Sequence, residues 1–157
     1  MVEVLWCGKI AYLIWQSDVR DEFLAVGGRV LVWADPSAAQ AFAAANGIEL
    51  VVNETKFDFD FVRRFVEGAA ELDAEELLSA WNLLVDLGAT IGAEKLAEAD
   101  RLLGEPYSRL FSLTRAGRIA EIQPEPLNVG EVDQLRAFFR VGLEVLADVL
   151  ESVRASE

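Results

Sequence analysis

Carboxylates are the abundant chemistry-bearing side chains of this sequence. There are 27 Asp and Glu against 14 Lys and Arg, and no histidine. Without imidazole, neither a Ser-His-Asp nor a Cys-His nucleophilic arrangement can be assembled. One cysteine, Cys7, supplies a single ligand where a zinc site takes about four, so His- and Cys-built zinc sites are excluded as well. Gly8-Lys9 lacks the upstream glycine and the following Ser or Thr of a phosphate loop, and no G-x-G-x-x-G occurs. No cofactor is therefore expected.

Three groups of acids remain as candidates. Asp58 and Asp60 flank Phe59. With Asp86 close in the fold they could hold a magnesium ion for a metal-assisted hydrolase, because hard cations take oxygen ligands. The local alternative is that Asp58 or Asp60 caps a helix, its oxygen satisfying free backbone N–H groups. Glu67, Glu71, Asp73, Glu75 and Glu76 then come with no Lys or Arg among them. Glu75 and Glu76 suit the first turn of a helix, where the dipole favours negative charge. Together with Asp58 and Asp60, this run is the expected surface for a basic partner. Asn82 and Asp86 lie four apart beside Trp81, on one face of a greasy helix, and these three residues are assigned a structural role. If buried, Asn82 and Asp86 need hydrogen bonds, with Arg63 or Arg64 as candidates. Arg109, Arg115 and Arg118 are expected to pair with acids of the same chain.

The elements that must position these groups can be read from pattern. KIAYLIW (9–15) and RVLVWA (29–34) read as strands, and residues 2–6 either extend the first or form their own. Ser17–Leu24 is polar and reads as a short helix, and Gly27-Gly28 is a turn. Asp35-Pro36 opens a helix that Gly47 closes, with a strand expected at 48–52. Strand, helix, strand is a βαβ unit if the outer strands run parallel, although another strand lying between them fits the pattern equally.

From Phe57 onward the apolar period becomes helical. A helix starts at Asp58 or Asp60 and runs through FVRRFVEG. Asp73 and Glu76 form a capping box before a helix whose inward stripe includes Leu77, Trp81, Leu84 and Gly88. A third helical run, AEKLAEADRLLG, ends at Gly104, with Pro106 preventing continuation. Residues 107–122 are ambiguous, with a candidate strand at Ile119–Ile122. Asn128, with Glu131 three residues on, caps a last helix striped by Leu135, Phe138, Phe139, Gly142 and Leu146. The expectation is one α+β domain over residues 1–157: a small N-terminal β-rich layer packed on a helical C-terminal half.

Composition bounds the partners. Apolar residues make up 53% of 157, too many for a disordered chain despite a net charge of -13. That charge opposes a phosphate backbone, so nucleic acid is not an expected ligand, whereas a basic protein would be attracted. No run approaches the ~18 apolar residues of a membrane span. The N-terminus lacks the basic start and small-residue cleavage site of a signal peptide, and a lone cysteine fits a reducing compartment, so the expectation is a cytoplasmic protein. Asn53-Glu54-Thr55 then matches a glycosylation acceptor by coincidence.

Phe57-Asp58-Phe59-Asp60, the helix Leu77–Asp86 with its LLxAWNLxxD pattern, and Tyr107-Ser108-Arg109-Leu110-Phe111 together carry a resemblance. The chain resembles small, largely uncharacterised bacterial proteins that are similar in size and charge to immunity proteins of bacterial toxin systems, over about residues 29–150. The resemblance implies a non-enzymatic inhibitor that neutralises a basic toxin or enzyme, a nuclease-type toxin for example, and it assigns no catalytic residue. Two alternatives stand beside it: the hydrolase on Asp58, Asp60 and Asp86, and a homodimeric structural protein joined through an apolar helix face.

Overall fold

A computed structural model of the chain describes residues 1–17, 21–50, 55–115 and 124–151. It is α+β, with the strands confined to the N-terminal part and the helices dominating the C-terminal part. β1 (Val2–Trp6) and β2 (Lys9–Leu13) form an antiparallel hairpin in which Trp6 pairs with Lys9. Its two-residue turn, Cys7-Gly8, has φ of 51° and 69°. Left-handed geometry at both central positions is what a type I′ turn requires, and its twist matches that of the strands it joins.

The first expected strand is thus interrupted. β2 stops at Leu13, and β3 (Trp15–Ser17) pairs instead with β4 (Asp21–Phe23), with Trp15 opposite Phe23. The short helix expected over Ser17–Leu24 is therefore corrected to strand at Ser17 and over Asp21–Phe23. Stacking of the Trp15 and Phe23 rings, 5.7 Å apart and 7° from parallel, outweighs the local polarity of that segment. RVLVWA also divides, into β6 (Arg29–Val30) and β7 (Val32–Trp33). β6 closes a hairpin on β5 (Ala25–Val26) through the turn at Gly27-Gly28.

The helix signals around Asp35 hold. α1 (Pro36–Ala45) is capped by the Asp35 carboxylate, which accepts the Ser37 N–H at 2.9 Å. Residues 48–50 are not strand, and the rest of the strand expected at 48–52 lies outside the described residues, as does Ile119–Ile122. The strand described after α1 is instead β8 (Thr55–Asp58). It pairs parallel with β1 in a sheet of order β7-β2-β1-β8. Because β7 is antiparallel to β2, and β2 to β1, the strands on either side of α1 run parallel with two others between them.

Five further described helices complete the fold. α2 (Phe59–Val66) starts directly after β8, and Asp58 caps it by accepting the Phe61 N–H at 2.8 Å. α3 (Ala74–Ile91) is capped by Asp73 and ends at left-handed Gly92. α4 (Glu94–Arg101) is succeeded by α5 (Gly104–Leu113). Pro106 lies in the first turn of this helix rather than stopping the previous one, and it is tolerated there because first-turn N–H groups have no intrahelical acceptor to lose.

α6 (Val129–Glu151) is about 35 Å long at 1.5 Å per residue and packs on α2, α3, α4 and α5. Asn128 and Glu131 cap it reciprocally. The Asn128 N–H donates to Glu131 Oε2 at 2.8 Å, and the Glu131 N–H donates to Asn128 Oδ1 at 2.9 Å. The core runs between these helices through Phe65, Leu77, Trp81, Leu84, Phe138 and Phe139, all buried. The apolar stripes of α3 and α6 pack against each other inside one chain, while Val129 of α6 and Phe111 of α5 stay exposed. No described helix is long and apolar enough to cross a membrane.

Candidate functional site

Asp58 and Asp60 sit at the β8–α2 junction, two residues apart with different surroundings. Asp58 is spent on the helix cap, and Arg64 approaches it at 4.0 Å. Asp60 is 9% exposed. Its two oxygens accept the Cys7 N–H at 2.7 Å and the Gly8 N–H at 2.8 Å, and Arg63 lies 3.7 Å away. Asp60 therefore fastens the first hairpin to α2, and it is withdrawn from the expected partner-binding surface because its oxygens are engaged and covered. Asp86 lies on α3 beside Asp21 and Trp15. Among the described residues no three acids are gathered as a metal site, so Asp58, Asp60 and Asp86 do not form the ligand set that the hydrolase alternative needs.

The acids from 67 to 76 are exposed. Glu67 ends α2, Glu71 lies in the connection, and Asp73 accepts the Glu75 and Glu76 N–H groups at 3.1 and 3.2 Å. Glu75 also accepts the Arg115 N–H, tying the start of α3 to the end of α5. Glu76 is pushed above the usual carboxylate range, first by burial and then by the negative charges of Asp73 and Asp58. That mutual repulsion shows that Asp58, Asp73 and Glu76 share one corner. Among the described residues no cation pairs with Glu67, Glu71, Asp73 or Glu76.

The helix around Trp81 gives the second constellation. Trp81 is 1% exposed, stacks on Phe138 at 4.4 Å, and donates its indole N–H to Asp100 Oδ1 at 2.7 Å. Its structural role is direct. Asn82 is exposed, and its Oδ1 accepts the Tyr107 hydroxyl at 3.2 Å. The partners of this face are therefore Tyr107 and Trp15 rather than Arg63 or Arg64, which serve Asp60 and Asp58.

Asp86 is half-buried and pushed up to about 6, by burial first and then by the charge of Asp21. Among the described residues the buried Trp15 indole N–H has no acceptor in hydrogen-bonding geometry, yet its nearness to Asp86 opposes that rise. Trp81, Asn82, Asp86, Asp100, Leu103 and Tyr107 line one cleft of about 310 Å³ between α3, α4 and α5.

The arginines divide as their neighbours dictate. Arg109 Nε meets Glu131 Oε1 at 3.0 Å, and its Nη1 lies 3.8 Å from Glu125. Arg115 is held through its backbone, and Arg118 lies outside the described residues. Sequence reasoning missed the clasp between Asp60 and the hairpin, the Asp100 partner of Trp81, and Tyr107 as a partner of Asn82. The last had a signal: Tyr107, Leu110 and Phe111 keep helical spacing once Pro106 is placed in a first turn. No family model, curated protein or solved structure matches this chain.

Proposed function

We propose that this chain is a non-enzymatic binding protein of the immunity type. Placed in the cytoplasm, it neutralises a basic protein, such as a nuclease-type toxin, by covering a cationic catalytic cleft with an acidic surface. The observation that supports this reading is the uncompensated charge at the corner of α2 and α3. Glu67, Glu71, Asp73 and Glu76 stand exposed without a described cation, and Glu76 is raised first by burial and then by the charges of Asp73 and Asp58. Such an arrangement opposes folding locally and is relieved when a positive surface docks.

Charge supplies encounter rate and partner selection, while desolvated anchors supply most of the affinity. Phe111, 42% exposed on α5, is an anchor of the required kind. The test is direct. The gene should adjoin a toxin-bearing reading frame, and that toxin should lose activity when this chain is added at one to one. A neighbouring toxin that stays fully active contradicts the reading.

A further inference from the structure

The cleft between α3, α4 and α5 has a chemistry of its own. Among the described residues its charged lining is Asp86 from α3 and Asp100 from α4, with no Lys or Arg. Asp100 gives one oxygen to the Trp81 indole N–H. Asn82 and Tyr107 already satisfy each other at the rim. The walls are apolar and aromatic, and the Trp81 and Tyr107 rings meet edge to face at 4.9 Å.

We infer that this cleft is a receptor for an organic cation, an alkylammonium or guanidinium group, whose charge lies between Asp86 and Asp100 and whose hydrocarbon stem lies against Val85, Leu103 and the Tyr107 ring. A bare metal ion suits the site poorly, since the described residues supply no third acidic ligand and the Asn82 oxygen is already taken by the Tyr107 hydroxyl. Anionic ligands are repelled by both carboxylates. At about 310 Å³ the cleft is at the small end of ligand sites, which run from roughly 300 to 1,000 Å³, and that suits one extended side chain or a small amine. Carboxylate pairing together with an aromatic face is the usual means of holding such groups.

The cation has two sources of identical chemistry, a free amine or a Lys or Arg side chain of a protein, and the inference does not depend on the toxin partner proposed above. The experiment titrates the full chain and tracks the indole N–H resonance of Trp81 by two-dimensional NMR. The probes are butylammonium, the blocked amino acids N-acetyl-lysine methylamide and N-acetyl-arginine methylamide, a five-residue lysine peptide, and neutral N-acetyl-norleucine methylamide.

Saturating shifts are expected with the cations and none with norleucine. Asp86→Asn should weaken binding at least tenfold, and Glu144→Gln, an exposed acid on α6, should leave it unchanged. Resonances distant from the cleft report that Asp86→Asn remains folded. Tighter binding of the peptide than of butylammonium assigns the cation to a protein chain, and equal binding assigns it to a small molecule; either supports the site. The inference is overturned if no cation saturates, if norleucine shifts Trp81 equally, or if Glu144→Gln weakens binding as much as Asp86→Asn.

Discussion

The Asp60 carboxylate accepts the Cys7 backbone N–H at 2.7 Å across 53 positions of sequence, and its second oxygen takes the neighbouring Gly8 N–H. A buried acid in the first turn of α2 thereby holds the tip of the β1–β2 hairpin. The sheet and the helical half are joined at this point by charge-assisted hydrogen bonds as well as by apolar packing.

Truncating that clasp should be costly. Asp60→Ala leaves two N–H groups without their acceptor and should destabilise the fold by about 2–4 kcal/mol. Asp60→Asn keeps one acceptor and should cost about half as much. Urea unfolding of the three proteins measures both values, and a loss below about 0.5 kcal/mol for the alanine variant would show that water replaces the clasp.

Cys7 occupies left-handed backbone at φ 51°, which disfavours an ordinary side chain. Cys7→Asn restores the Asn-Gly pair that type I′ turns prefer and should stabilise the chain by about 0.5–1 kcal/mol. Thermal unfolding should show a rise of roughly 1–4 °C for a chain of this size. A fall in Tm would mean that the thiol makes a contribution beyond its backbone.

Glu131 both closes the capping box of α6 and meets Arg109 while only 8% exposed. Glu131→Ala should therefore lose about 2–3 kcal/mol, the sum of a cap and a partly buried ion pair. Glu131→Gln keeps the reach-back to the Asn128 N–H and should lose less than half of that. Equal losses in denaturant titrations would place all the energy in the ion pair.

The raised carboxyl of Asp86 fixes the sign of a pH effect. It titrates near 6 in the folded chain against an ordinary 3.8, so the folded state holds the proton more tightly. Asp21 on β4, Asp100 on α4, and the Tyr107 and Trp15 rings are the groups around it. Its contribution to stability is greatest below its unfolded value and is lost as pH rises through 6. Asp86→Asn should flatten the stability profile between pH 4 and 7. It should also raise Tm at pH 7.5 by on the order of 1–3 °C, a modest change because water reaches part of the carboxylate. An unaltered pH slope contradicts this.

The features legible in the sequence were local. Asp35, Asp73 and Asn128 cap helices three or fewer residues away, so their roles are written in neighbouring residues. The stripe from Leu77 to Gly88 and that of α6 meet as their periodicity requires, and Gly142 faces Leu84 so closely that an added methyl would collide. The features hidden from it were non-local. Nothing near Asp60 announces a partner in a hairpin turn more than fifty residues away. Trp15 belongs to β3 because Phe23 stacks on it, a choice made by tertiary packing over local polarity. Of the acids grouped as a docking surface, Asp58, Asp73 and Glu76 do share a corner, Asp60 is buried under the hairpin turn, and Glu75 stays exposed while accepting the Arg115 N–H.

The most direct test of an acidic recognition surface is the association rate with the neighbouring toxin, measured by stopped flow at several ionic strengths. The native chain is compared with a variant carrying Glu67→Lys, Glu71→Lys and Glu76→Lys, three exposed positions without described cation partners. The native chain should associate faster as salt is lowered, while the variant should be at least tenfold slower near 10 mM salt and nearly insensitive to salt. Equal rates and equal salt slopes for the two proteins would contradict an acidic surface as the basis of recognition.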